Sequence, residues 1–122
     1  MPLTFPLSHD RARAFAADWI AAWNAHDLAA ILSHYAPDVV LTSPVAARVT
    51  GDATVTGIDA LSRYFGRGLE LFPSLHFILH DVFAGHSTLV LIYTNQSGTR
   101  TAEWMQFSDE GQVIRVAAQY SA

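Results

Sequence analysis

Cysteine is absent from this chain, so thiolate nucleophiles, disulfides and Cys-zinc sites are excluded, and any chemistry falls to His, carboxylate and hydroxyl groups. His76 and His80 are four apart, which on a helix would bring both rings to one side. They lie in a stretch that reads as a strand, where a rise of about 3.3 Å per residue leaves them roughly 13 Å apart, beyond shared coordination of a metal. No metal site is expected. His9, His26, His34 and His86 fall at expected caps, helix ends or turns, where solvated or capping roles are usual. The chain carries no Gly-rich phosphate loop, nucleophile elbow or Ser-His-Asp order.

Glu103 is the carboxylate whose setting stands out. Alternation along its strand puts it on one face with Met105 and Phe107. It is three residues from Arg100, so on a regular strand the two point to opposite faces. Trp19 has an indole N–H for a ligand oxygen or for Glu103, although an aromatic residue on a helical stripe also serves as core. Tyr35, Tyr93 and Tyr120 bring phenols, each expected to pack with its hydroxyl satisfied at an edge.

The elements that must position these groups begin with helices. Ser8 is an N-cap, and Phe15, Trp19, Ala22 and Trp23 follow at helical spacing, which predicts a helix from about Ser8 to Ala25. Asp27 caps a second helix with Leu28, Ile31, Leu32 and Tyr35 on one side, ended by Pro37. The period then changes: residues 38–43 read as a strand stopped by Pro44, with Thr54-Val55-Thr56 as a short partner across a loop. Thr56-x-x-Asp59 has capping-box-like spacing and opens a third helix buried along Ile58, Leu61, Phe65 and Leu69, with Pro73 ending it. From Ser74 the chain alternates strands (Leu75 to Phe83, Thr88 to Asn95, Arg100 to Phe107, Val113 to Tyr120) with turns short enough for hairpins. Helices first and a meander afterwards predict an α+β fold of one domain over residues 1–122.

Hydrophobic residues make up 51% of the chain and charged ones 15%, which argues for a folded core rather than disorder. The net charge is −4 and the cations are scattered singly, so nucleic acid is not an expected partner. No apolar run is long enough to span a bilayer, and the start Met1-Pro2-Leu3-Thr4-Phe5-Pro6 lacks a basic region followed by an apolar one. The expected location is the cytoplasm. Residues 89–93, Leu-Val-Leu-Ile-Tyr, are apolar on both alternating faces, and Trp104 points opposite to Glu103. Three helices cover one side of the sheet only, so the outer face is expected to pair two copies into a homodimer.

The order helix, helix, strand, helix, four-strand meander carries Trp23-Asn24-Ala25-His26-Asp27-Leu28, Tyr35-Ala36-Pro37-Asp38-Val39, Gly57-Ile58-Asp59-Ala60-Leu61 and Asp109-Glu110-Gly111-Gln112-Val113-Ile114. In this it resembles the nuclear transport factor 2-like superfamily, on the polyketide-cyclase-like (SnoaL-like) and ketosteroid-isomerase-like branches. The resemblance implies a cone-like curved sheet wrapped around three N-terminal helices, with an apolar pocket between them. It also implies that Glu103 stands at the isomerases' oxyanion-hole aspartic acid, Trp19 at their hydrogen-bonding tyrosine and Ser43 at their aspartate base. A serine without an activating partner does not take a proton from carbon at neutral pH, so steroid isomerase activity is not carried over. The Asp-Arg-Asp arrangement of the epoxide-hydrolase branch is also missing, because Arg100 and Glu103 face opposite ways.

The expected function is binding of a small apolar, oxygenated organic ligand, with isomerase, cyclase or lyase chemistry and with no organic cofactor or metal. Glu103 is the expected acid/base group, its pKa raised by desolvation where its face is the pocket face, as the resemblance implies; the alternative is a strand-end glutamate that reaches water or pairs with Arg100 or Arg115. Trp19, Tyr35, Ser43, Phe65, Met105 and Tyr120 are the expected ligand contacts. The alternative is a non-catalytic ligand-sensing or protein-association module of the same fold.

Overall fold

The computed structural model describes residues 7–121; the start of the chain read above for a leader, residues 1–6, lies outside them. Helix α1 (His9–Asn24) begins where Ser8 Oγ accepts from the Arg11 N–H at 3.1 Å, and it buries Ala12, Ala16, Trp19, Ala22 and Trp23. Its end is closed by His26 at φ 54, a left-handed position that glycine usually takes, with His26 N–H on Trp23 O and Asp27 N–H on Ala22 O. This turn also ties the chain across the fold. The His26 ring meets Leu75 O at 2.8 Å, and the Asn24 amide both donates to Phe77 O and accepts from Phe77 N–H.

Asp27 caps α2 (Leu28–Leu32), accepting from Ala30 N–H. Strand β1 (Tyr35–Thr42) starts almost at once, so Tyr35, expected on the second helix, and Pro37, expected to end it, belong to the sheet. Pro37 has no N–H for a ladder and sits where the register of β1 on β6 shifts, between Tyr35 and Val40. The loop expected after Pro44 is a further helix, α3 (Pro44–Thr50), which brings the helices to four among the described residues rather than three. Ser43 caps it, Pro44 occupies its first turn, and Gly51 at φ 86 ends it.

Strand β2 (Thr54–Thr56) pairs with β1, and α4 (Ile58–Leu71) follows. The capping box expected from Thr56 does not form. Gly57, at φ 88, is the N-cap without a side-chain bond, because the turn out of β2 needs a backbone conformation that residues with a Cβ rarely adopt. Leu61 and Phe65 carry the buried face of α4.

β3 (Ile78–Ala84), β4 (Thr88–Thr94), β5 (Arg100–Phe107) and β6 (Val113–Tyr120) form the antiparallel meander, with β3 starting three residues later than expected. The curved, open six-stranded sheet runs β2-β1-β6-β5-β4-β3, with β1 parallel to β6. Its inner face carries Leu89, Leu91 and Tyr93 from β4 and Thr101, Glu103, Met105 and Phe107 from β5, all buried against the helices. Val90, Ile92 and Trp104 alternate to the outer face and are half-buried.

Candidate functional site

A cavity of about 390 Å³ opens between the inner face of the sheet and helices α1, α3 and α4. That volume lies within the range of about 300–1,000 Å³ usual for small-molecule sites. One wall is aromatic. Trp19 stacks on Phe77 with ring centres 5.8 Å apart, Trp23 meets Phe65 edge-on at 4.8 Å, and Phe77 lies 4.4 Å from Tyr93. The Asn24 and His26 ties hold Phe77 in this cluster by its backbone.

Among the described residues the cavity also holds one carboxyl. Glu103 pairs across the ladder with Leu91 and Ala118 and lines the cavity while only 7% exposed. The Tyr93 hydroxyl donates to its Oε2 at 2.8 Å. Tyr93 is the register partner of Thr101, so it stands diagonally from Glu103 on the inner face. The ion pairs Arg13–Asp10 and Arg67–Glu70, both well exposed, are elsewhere, and Glu103 has no ion pair among the described residues. Burial pushes its pKa up to about 7, against a smaller lowering by the Tyr93 hydrogen bond. Near neutral pH the carboxyl is thus divided between donor and acceptor forms.

The Trp19 indole N–H is committed to the Tyr35 hydroxyl at 2.9 Å, not to Glu103. Burial, then the charge of Glu103, raises the pKa of Tyr35 far beyond the usual phenol range. Tyr120 is pushed up to about 12, first by burial and next by Glu103. Tyr64 is raised too, again chiefly by burial; the Ser43 hydroxyl and the Arg48 guanidinium oppose the rise in both. Trp23 Nε1–H is buried in the aromatic wall with no acceptor among the described residues.

Of the residues expected at the site, Glu103, Trp19, Tyr35, Ser43, Phe65 and Tyr120 line this cavity. Met105 shares the inner face but is completely buried in the core two residues further along, outside the lining. Ser43 is 4% exposed, and its hydroxyl caps α3 by accepting from Val45 N–H at 3.1 Å. Trp23, Phe77, Tyr64 and Arg48 line the cavity without having been expected there, and Tyr93, a candidate pocket phenol expected to serve mainly in packing, lines it too. For Tyr93 the signal lay in the β4–β5 hairpin, whose register sets it diagonal to Glu103. Arg48 lay in the segment read as a loop. His80 bonds Thr94 Oγ1 across the hairpin at 2.6 Å on the exposed side, away from the cavity.

The SnoaL-like domain family matches residues 16–119. The chain belongs to the SnoaL-like family. It is similar over 96% of its length, at 32% identity and a TM-score of 0.91, to the whole of a SnoaL-like protein of unknown function from Burkholderia thailandensis. A protein with a cystatin-like fold from Methylobium petroleophilum aligns at 16% identity and TM-score 0.76, covering 95% of this chain and 79% of that one. TerC, co-crystallised with polyporic acid, aligns at 14% identity and TM-score 0.75, over 90% of this chain and 91% of its own. No curated protein matches the sequence. Within the SnoaL-like fold, the described residues bring no three His, Asp or Glu side chains together for a metal ion, and none of the described helices is long and apolar enough to cross a membrane.

Proposed function

We propose that this SnoaL-like chain binds a small, apolar, oxygen-bearing molecule in the α1/α3/α4 cavity and moves a proton on it with Glu103. The observation that carries this reading is a lone carboxyl, buried in a largely aromatic cavity, held by Tyr93 and brought to a pKa of about 7. In its neutral form Glu103 donates to a ligand carbonyl. As carboxylate it accepts a proton from an adjacent carbon, which is the step shared by isomerases, cyclases and lyases acting next to a carbonyl. TerC, of the same fold, was co-crystallised with polyporic acid, an oxygen-bearing organic molecule.

The steroid-isomerase arrangement is not the chemistry proposed. Ser43 is engaged as the α3 cap and, among the described residues, meets the Tyr64 and Tyr120 phenols rather than a base. Loss of a general base costs about 10²–10⁴-fold, and 3-ketosteroids are expected to isomerise no faster than in buffer.

Exchange of the α-protons of 2-tetralone with D₂O, followed by NMR, tests the proposal. The parent protein is expected to accelerate exchange, and Glu103→Gln to remove about 10²–10⁴-fold of that acceleration. Equal exchange by parent and variant, or none above buffer, would sink the catalytic reading and leave a ligand-sensing module. The outer sheet face with Val90, Ile92 and Trp104, continued by Phe83 at 56% exposure, is the surface we propose joins two copies. Light scattering at micromolar concentration is expected to give a dimer, and Trp104→Asp a monomer.

A further inference from the structure

Arg48 is the cation that lines the cavity, and it does so from the exposed side of α3. It forms no ion pair among the described residues. The chain has seven cations, all arginine, against 11 acidic residues. Even so, Arg48 is backed by two more of those arginines: Arg63 and Arg67 line an adjoining recess that shares Val49 and Tyr64 with the cavity. Asp52 and Asp59 lie nearby in sequence, the Asp52 carboxylate accepting from Thr54 N–H at 2.9 Å, and Glu70 faces Arg67 at 3.7 Å. Of the three arginines, Arg48 is the one that lines the cavity itself. Inside the cavity, the Tyr64 and Tyr120 phenols line the same space as Arg48 and Glu103 and feel both charges, with opposite effect.

We infer that Arg48 is the anion-binding residue of this cavity and that the ligand is an acid: a flat apolar molecule whose carboxylate meets Arg48 on α3 while a carbonyl oxygen meets Glu103. A guanidinium matches a carboxylate through paired N–H donors. The aromatic wall of Trp19, Phe77 and Phe65 suits a planar body, and the two polar groups fix which way round it lies. This inference rests on the ligand-binding reading above and names its substrate class. Arg48 also sits in the last turn of α3, where a cation favours the helix dipole. A purely structural role would therefore change stability and leave the choice between ligands untouched.

The test is calorimetric binding of 6-acetyl-2-naphthoic acid against its methyl ester, which share the ketone and the flat body and differ in the charge. The parent is expected to hold the acid about tenfold more tightly at low salt, with the margin shrinking as salt screens the exposed cation. Arg48→Gln should remove the preference and Arg48→Lys should restore part of it. Equal binding of acid and ester by the parent, or an acid preference that survives Arg48→Gln, overturns the inference and leaves the cavity as a ligand site. A preference removed by Arg63→Gln instead overturns it in the same way. Binding of neither compound overturns it together with the ligand-binding reading itself.

Discussion

The two sides of the cavity are built by different rules. The aromatic side comes from α1, from Phe77 just before β3 and from Tyr93 of β4, and its members are locked to one another, with ring centres between 4.4 and 6.0 Å apart. The polar side comes from α3, α4 and the end of β6, where Arg48 is exposed and Tyr64 and Tyr120 are half-buried. Well-packed rings contribute stability whether or not a ligand is present, whereas groups left partly in water contribute little until a ligand removes that water. One side is fold that happens to border a cavity, and the other is available for recognition. Glu103 stands between them and belongs to both.

Truncating the aromatic side is expected to have the largest effect. Trp19 is 2% exposed and carries the hydrogen bond to Tyr35, so Trp19→Ala should cost about 3–5 kcal/mol in urea unfolding. Arg48→Ala should stay within about 0.5 kcal/mol of the parent. If the two losses are similar, the division between a structural wall and a recognition wall fails.

Glu103→Gln probes the group between the walls through pH. The unfolded chain releases this proton near 4.5 and the folded protein near 7, so the folded state binds it more tightly. That contribution to stability is fully present below the unfolded value and is lost as pH rises through the folded one. A gap of this size is worth on the order of 3 kcal/mol, and the Gln variant, which does not titrate, should gain about that much on the parent between pH 4 and 8. A constant difference between the two across that range would show Glu103 to be an ordinary solvated carboxylate.

The same division explains what the sequence reveals. Trp19 and Trp23 of the aromatic side lie on one helix whose cap and stripe are local signals, and Glu103's inner-face position follows from strand alternation. Helix α3 has its signals too, in Ser43-Pro44 and Gly51, but it buries only Ala46 and therefore shows no apolar period. Missing it left Arg48 without an element to place it. Tyr64 shares a helix with the buried Phe65, yet its position at the cavity depends on α3 packing against α4, which no local pattern encodes. The choice of Gly57 over Thr56 as the α4 cap was likewise set by the geometry of the β2 exit rather than by hydrogen-bonding residues.

Tyr93→Phe separates the two roles of Glu103 most finely and should have a smaller effect than Trp19→Ala or Glu103→Gln. The ring stays, so its packing on Phe77 and Trp19 is kept, and only the hydroxyl that donates to Glu103 Oε2 is lost. That hydrogen bond favours the ionised carboxyl and lowers its pKa against the larger effect of burial. Removing it should therefore move the Glu103 pKa further up, as read by carbon-detected NMR of the carboxyl. A hydrogen bond to a charged group is worth about 1.5–3 kcal/mol and one to a neutral group about 0.5–1.5. The loss of stability should accordingly be roughly 2 kcal/mol near pH 8, where Glu103 is ionised, and about half that near pH 4, where it is protonated. A loss of the same size at both pH values would mean that Tyr93 does not distinguish the two forms. Its hydroxyl would then be only a satisfied polar group of the aromatic wall, and the tuning of Glu103 would rest on burial alone.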